Sequence, residues 1–502
     1  MSYSLDYKRD YTGGENSYAA PDELLANQSL IFENADILGQ GGFTKRTGID
    51  SYIDLSATYA SRVDRLIEFE YRDTYDVRVL KKLALIDGNL IDLYDNSVIK
   101  SGMGNWLDFE TYKDDLYILA NGMFLVYNGT TIDDVVCGES DSNLIRIRKC
   151  KSIEQRGQRF FACGNAEDPN ALYYSEVGRP DYWNTVNVIQ AITDDADELV
   201  AVREFHGALL AFKKRAIYAW FGYDPNTDVE FQQLAVHTGT SAARTIQRVE
   251  DMMIYLGDDG VYGLVGTVLN VIQTRKLSKN ITPRIKNILH SAAYYTDAAC
   301  AIYKDGKYML SVPTVTASWN DTVLVLFTDF LTDTSESWGV YTGWNVSEFL
   351  KSFDGELYSA NSNSSIIHKH SVTYNDLGVA ISVHVKTNPL SQGEPIKNKR
   401  YRYGYAYLPQ LMDFPTTATI HAIVDYQEVD TTISPDESLL WDVEGRVWEE
   451  QKWDFIELVT RKFAIKSKGK RIVIDITNDI LDTALTIYGF GLEYRIKKPD
   501  RN

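Results

Sequence analysis

One unit recurs along the chain and restricts its fold more than any other feature. It is a pair of short strands, each alternating apolar with polar residues, joined by a tight turn rich in Asp, Asn or Gly. Clear copies are YKDDLYILANGMFLVYNGT at 112–130, FHGALLAFKKRAIYAWFGY at 205–223 and VEDMMIYLGDDGVYGLVGT at 249–267. Weaker copies occupy 157–176, 303–312 and 353–371, and an earlier one at 77–96 turns at Asp87-Gly88. Asn121-Gly122 and Asp259-Gly260 fall between strands, where a two-residue hairpin needs positive φ. The apolar positions keep period two, the mark of a half-buried strand. Successive copies between 112 and 353 start 44 to 54 residues apart. That length holds four short strands, the content of one propeller blade. A series of β-sandwiches would leave the spacing unexplained.

Composition agrees with an all-β fold. The 502 residues include 33 Tyr, 19 Phe and 9 Trp, and aromatic side chains suit a pleated, half-buried surface. Helical signal is sparse: Pro21 to Leu25 opens a short turn, and Ser278 to Leu289 places Ile281, Ile285 and Ile288 on one face. From about Val379 the chain alternates strongly, as in YRYGYAYL at 401–408, where Tyr401, Tyr403, Tyr405 and Tyr407 are expected on one face. Strand candidates at 418–426, 471–476 and 485–496 follow, so residues 372–502 read as a separate β-sandwich-like domain.

The formal net charge is −19. Nucleic-acid affinity depends on neutralising phosphates, so an acidic chain is a poor DNA or RNA binder, whereas an acidic channel wall would let DNA slide past without sticking. Cys137, Cys150, Cys163 and Cys300 form no C-x-x-C pair and read as small buried hydrophobes kept reduced in a cytoplasm. The opening residues carry no apolar core of a secretory leader, and no run reaches the roughly 20 apolar residues of a membrane span.

No catalytic, cofactor or metal site stands out in the sequence. His368 and His370 would share a face of a strand, but no acidic or thiol partner stands at a matching spacing, so surface or satisfied histidines are expected. The acidic run Thr193 to Glu198 lacks the pattern of a calcium loop and reads as a solvated loop. Ser335 to Gly339 echoes a sialidase repeat without its Asp, and no nucleophile elbow or phosphate loop is present. Basic clusters at Arg146, Arg148 and Lys149, at Lys397 to Arg402 and at Arg495 to Arg501 read as rim contacts to acidic neighbours, setting register in an assembly.

Two ordered motifs carry a resemblance. The first runs Thr12-Gly13-Gly14-Glu15-Asn16, Pro21-x-x-Leu24 and Asn27, then Asn34-Ala35-Asp36-Ile37 and Gly41-Gly42-Phe43-Thr44-Lys45-Arg46-Thr47-Gly48. The second is Leu172 to Trp183, with Ser175, Gly178, Pro180 and Trp183 at its fixed points; Gly178 and Pro180 would shape a blade turn with Trp183 over it. Together they resemble the tail β-propeller proteins of bacteriophages, the nozzle and tail stabilisation proteins of short-tailed phages; Thr47 stands where a Pro is common. Trp441, Trp448 and Trp453, with the hairpin at Gly469-Lys470, fit the same plan. The resemblance implies a propeller of about six blades closed by N- and C-terminal strands. It divides the chain into an arm and closing strand at 1–50, a propeller at 51–371 and the C-terminal domain. It also implies a non-enzymatic virion protein assembled in the host cytoplasm. Copies would form a homo-oligomeric ring, a hexamer favoured, that meets the portal, adaptor and other tail proteins. The ring would continue the DNA channel, retain the packaged genome and take part in ejection. The alternative is a carbohydrate- or receptor-binding propeller at the virion surface, with a glycoside hydrolase further behind.

Overall fold

The computed structural model describes residues 3–136, 143–190, 197–228, 230–267, 270–289, 298–314, 317–409, 418–425, 427–433 and 458–497. Among them, seven four-stranded blades follow one another along the chain. Blade 1 is Val63–Arg72, Arg78–Ile86, Asn89–Asp92 and Val98–Lys100. Blade 2 covers Asp108–Tyr112 to Ile132–Asp134, blade 3 Ser152–Arg156 to Val188–Gln190, and blade 4 Leu199–Phe205 to Gln232–Val236. Blade 5 covers Gln247–Val249 to Asn270–Lys276 and blade 6 Cys300–Lys304 to Trp338–Thr342. Blade 7 takes Glu348–Lys351, Leu357–Ala360 and Ile366–His370 from the end of the repeat region. Its fourth strand, Ile49–Asp54, comes from the N-terminal arm and pairs antiparallel with Ile366–His370.

Seven apolar clusters close the circle, one at each junction between blades. Phe69 and Leu85 meet Leu116 and Ile118 between blades 1 and 2, and Ile86 meets Ile367 between blades 1 and 7. Blade 3 shows how the side chains are shared. Phe160 and Ala162 pack toward blade 2, while Phe161 and Cys163 pack toward blade 4. Strands such as Ala208–Lys213 and Thr322–Phe327 are therefore buried at every position. Period two here divides residues between two neighbouring blades, and not between core and water. The count is one more than the six or so implied by the resemblance, and the seventh comes from the weak repeat at 353–371 completed by the arm.

The remaining strands make a sandwich that is continuous with the propeller. Ser29–Glu33 of the arm lies beside Trp338–Thr342 of blade 6 through the Glu33–Val340 bridge, and on its other edge pairs with Val383–Thr387. Ile472–Asn478, Ala418–Val424 and Gln427–Ile433 extend the same sheet. The facing sheet orders Ser4–Lys8, Gly489–Ile496, Lys399–Pro409 and Leu458–Ala464. Ile420, Ile474 and Ile476 of one sheet pack on Ala406, Phe463 and Phe490 of the other, in a core that runs into Val325 and Phe349 of blades 6 and 7.

Two details differ from expectation. A register shift at Arg402 turns Tyr401 into the core while Tyr403, Tyr405 and Tyr407 stay outward. The helix begins at Thr282, with Ile281, Ile285 and Ile288 buried, and the Ser278 hydroxyl accepts from Val261 N at 3.0 Å instead of capping it. Cys150, Cys163 and Cys300 are buried free thiols, and Cys137 lies outside the described residues. No described helix is long and apolar enough to cross a membrane.

Candidate functional site

The residues of the first motif converge on the seam where arm, propeller and sandwich meet. Gly14 has φ +56° and lies so close to blade 6 that an added Cβ would stand 2.4 Å from the Trp338 carbonyl oxygen. The next amide, Glu15 N, donates to that oxygen at 2.7 Å, and the fully buried Glu15 carboxylate accepts from Arg284 Nε at 3.0 Å. The Asn16 side-chain oxygen accepts from the amides of Tyr18 and Ala19. Gly13 packs on Gln28 and Asn27.

Further along, Arg46 is buried and occupies every arm of its guanidinium. Nε donates to Asn34 Oδ1 at 2.9 Å, Nη1 to Asp376 Oδ1 at 3.0 Å, and Nη2 to Asp376 Oδ2 at 2.5 Å and to the Thr342 carbonyl at 3.1 Å. Asn34 in turn donates to Thr342 and to the Ser382 carbonyl. Lys45 Nζ reaches Asn478 Oδ1 of the sandwich at 2.8 Å, and burial pushes this ammonium down to about 8. Gly41, Gly42 and Gly48 let backbones touch; Cβ atoms there would stand 2.7, 2.5 and 1.8 Å from carbonyl oxygens of Arg9, Ile487 and Asn375.

Beside this seam is a cavity of about 320 Å³ lined by Asn34, Thr342, Asn345, Asn361, His368 and Asp376 among others. His368 is 1% exposed and neither ring nitrogen has a hydrogen-bond partner; burial pushes it down to about 4, so the ring is neutral at pH 7. His368 is thus neither at the surface nor satisfied. His370 does meet a partner, Thr47 Oγ1 at 3.1 Å, and stacks on Trp344 with the planes 3° apart.

The second motif builds one turn of blade 3. Ser175 Oγ accepts from Phe160 N at 2.9 Å, Gly178 (φ +70°) donates to the Gln158 carbonyl at 2.7 Å, and Trp183 Nε1 donates to the Pro180 carbonyl at 2.8 Å. The Trp183 ring is fully buried against Phe124 of blade 2. Trp338, in the sialidase-like echo, is likewise a core residue whose Nε1 donates to the Leu277 carbonyl.

A charged collar lies where the first strands of the blades approach the axis. Glu348 of blade 7 accepts from Arg65 at 2.9 Å and from Arg244 at 2.5 Å. Arg65 also faces Asp108 at 3.8 Å, Asp108 faces Arg203 at 3.6 Å, and Arg203 faces Glu154 at 3.7 Å. Burial raises the Glu154 carboxyl, and Glu110 is pushed up to about 8, first by burial and then by Glu154 and Asp108. Raised carboxylates mark active sites and structural ion-pair networks alike. Here the pairing with Arg65, Arg203 and Arg244 is that of a network which ties blades 7, 1, 2, 3 and 4 around the axis and reaches, through Arg244, the turn that leads into blade 5. Nothing in the sequence singles these residues out: all but Arg244, which lies in the turn Ala243–Thr245, occupy ordinary strand positions.

On the outward face of the C-terminal hairpin, His421, Glu428 and Asp430 bring one ligand atom each within 4.8 Å of one another, with His421 Nδ1 at 2.7 Å from Asp430 Oδ1. Direct cross-strand pairing of His421 with Asp430 produces this group. Of the acidic run, Asp197 accepts from Arg215 N at 2.7 Å and Glu198 pairs with Lys214; 193–196 lie outside the described residues, as do Trp441, Trp448 and Trp453. Lys149 of the first basic cluster pairs with Glu167 at 2.6 Å.

No protein-family model matches the chain, and no curated protein matches it. Among solved structures it is similar to the Neurospora crassa Pan2 WD40 domain, at 9% identity and a TM-score of 0.38, over 66% of this chain and 97% of that one. The propeller assignment stands on the sheet order and on the ring of interblade cores.

Proposed function

We propose that this chain is a structural, non-enzymatic component of a bacteriophage tail, a virion protein whose copies form a ring that continues the DNA channel. The observation that carries this reading is where the motif residues go. Gly14, Gly41, Gly42, Lys45, Arg46 and Gly48 are spent on the propeller–sandwich seam, Asn16 on holding the arm's own turn at Tyr18 and Ala19, and Ser175, Gly178, Pro180 and Trp183 on one blade turn. A fold that binds its two parts through buried ion pairs and backbone contacts suits a part that must keep its shape in an assembly under load. The ring meets the portal, the adaptor and other tail proteins, and DNA passes without sequence-specific contacts. Mass measurement with negative-stain microscopy, on the protein alone and mixed with a portal or adaptor ring, tests this. A closed ring, or docking on the adaptor, supports it; a monomer that ignores the adaptor at every concentration sinks it.

The cavity at the seam favours a second reading, a carbohydrate-binding propeller at the virion surface. Its mixed lining, with Asn345, Asn361 and Ser382 beside the aliphatic Ile49, Leu377 and Ile381, and the neutral, unpartnered His368 match a ligand that offers both hydroxyls and an apolar face. Binding on a glycan array that His368→Phe abolishes would support this reading.

A further inference from the structure

The outer sheet of the sandwich has one face in the core and one turned away from it. Gly404, Ala406 and Leu408 point inward, so Tyr403, Tyr405 and Tyr407 stand on the other side. Register places Tyr405 beside Lys462 on one flank and Gly491 on the other, and Gly491 beside Tyr7. A Cβ at Gly491 would stand 3.2 Å from the Tyr407 hydroxyl and 3.3 Å from the Tyr7 ring, so the two tyrosine rows close over the strand at this glycine. Leu5 and Tyr7 are 43% and 49% exposed.

Cations are threaded through these rings. Tyr3 lies between Arg402 and Arg495, each 5.4 Å from its centroid. Lys462 sits 3.7 Å over Tyr403, and Arg9 lies 4.9 Å from Tyr7 and 5.2 Å from Tyr407. Two basic clusters far apart in sequence, around Arg402 and Arg495, are thus one surface. Its acid, Glu493, is already engaged by Arg402 at 3.4 Å and by the Tyr405 hydroxyl at 3.2 Å. A face of tyrosines and arginines, cationic on a chain of net −19, has the composition of an interface core and calls for an acidic, aromatic complement.

The chain carries such a complement in its own sequence. Residues 434–457 hold eight acidic residues against two basic ones, together with Trp441, Trp448 and Trp453. We infer that the tyrosine–cation face of the sandwich binds the acidic, tryptophan-bearing stretch 434–457 of a second copy of this chain. The inference rests on the ring reading above and names its contact. Face and stretch are different parts of the chain, so the contact is head-to-tail and each copy can both give and receive it, which is what a ring or filament requires.

Three proteins test it by sedimentation and mass measurement at low salt: the wild type, a face variant (R402E, K462E and R495E together) and a stretch variant (W441A, W448A and W453A together). Circular dichroism and melting show whether each variant is folded. The wild type is expected to assemble, and each variant alone to weaken assembly by at least about tenfold in dissociation constant, or ~1.4 kcal/mol. An equimolar mixture of the variants should give a dimer and nothing larger, since one intact face then meets one intact stretch. Folded variants that assemble as the wild type does would overturn the inference and leave the ring reading standing. Monomeric variants whose mixture stays monomeric would show that an intact face and an intact stretch do not pair between copies, which also overturns it. A wild type that is monomeric at all concentrations removes both readings.

Discussion

Arg46 grips Asp376 with both arms of its guanidinium, 3.0 and 2.5 Å from the two carboxylate oxygens, while 330 residues separate them in sequence. The pair joins the arm to the segment that leaves blade 7, and Asn34 and the carbonyls of Thr47 and Thr342 fill the remaining donors. Removing the cation leaves a nearly buried carboxylate without its partner, which typically costs about 3–5 kcal/mol. Arg46→Ala is therefore expected to lower the unfolding midpoint strongly, measured in guanidinium chloride by tryptophan fluorescence. Arg46→Lys should recover only part of the loss, because a lysine cannot span both oxygens and Asn34 at once. Full recovery by Lys would show that charge alone matters there.

Gly48 has the tightest backbone approach in the seam. Its added Cβ would stand 1.8 Å from the Asn375 carbonyl oxygen, and backbone on both sides is fixed by hydrogen bonds to Thr373 and Ser371. Gly48→Ala must push the strand that closes blade 7 away from the segment after it. A loss of about 1–3 kcal/mol or more follows from such overpacking. Gly39→Ala serves as the control, with nothing within 4 Å of its Cβ and an expected change within about 0.5 kcal/mol. Equal melting temperatures for the two variants would refute the steric account.

Trp183 fills the gap between blades 2 and 3. Trp183→Ala should cost about 3–5 kcal/mol, as for other large-to-small core changes. Trp183→Phe keeps most of the ring but orphans the Pro180 carbonyl, a loss of about 1 kcal/mol for the hydrogen bond plus a smaller packing term. The order wild type, Phe, Ala in thermal melting is the expected result. A Phe variant as unstable as Ala would place the main contribution in the turn and not in the core.

The blades were legible because each hairpin is local: Asn121-Gly122 marks its own turn, and seven such units are present. What those strands bury was misread, since alternation in a blade separates the two neighbours, as Phe160 and Phe161 show. Tyr403, Tyr405 and Tyr407 share one face as the alternation implies, but Tyr401 does not join them, because a one-residue shift at Arg402 inverts the side chains before it. The motif residues were located by likeness, but their partners were not. Arg46 gives no local sign that it needs Asp376. The collar was invisible for the same reason, its members being spread from Arg65 to Glu348 and brought together only when the ring closes. His368 stood out as one of a pair, yet only the packing shows that one of the two lacks a partner.

Glu110 supplies a pH dependence whose sign can be worked out. Its carboxyl is pushed up to about 8, with burial the largest cause, against an ordinary value near 4.5. The folded chain therefore holds a proton at this site that the unfolded chain has released, and stability falls as pH rises between those values. Below about 4.5 the contribution is fully present; above about 8 it is gone. Glu110→Gln keeps the shape of the protonated form and removes the titration. It should leave the melting temperature near pH 5 almost unchanged and raise stability at pH 8 to 9 by about 1 kcal/mol or more, since one pKa unit corresponds to about 1.4 kcal/mol. Glu154, raised for the same reason but facing Arg203, should respond differently: Glu154→Gln strips a counter-charge from Arg203 and is expected to destabilise at pH 8. Melting both variants across pH 5 to 9 separates the two. If Glu110→Gln destabilises at pH 8 as Glu154→Gln does, Glu110 is an ionised member of the collar, and the buried proton assigned to it does not exist.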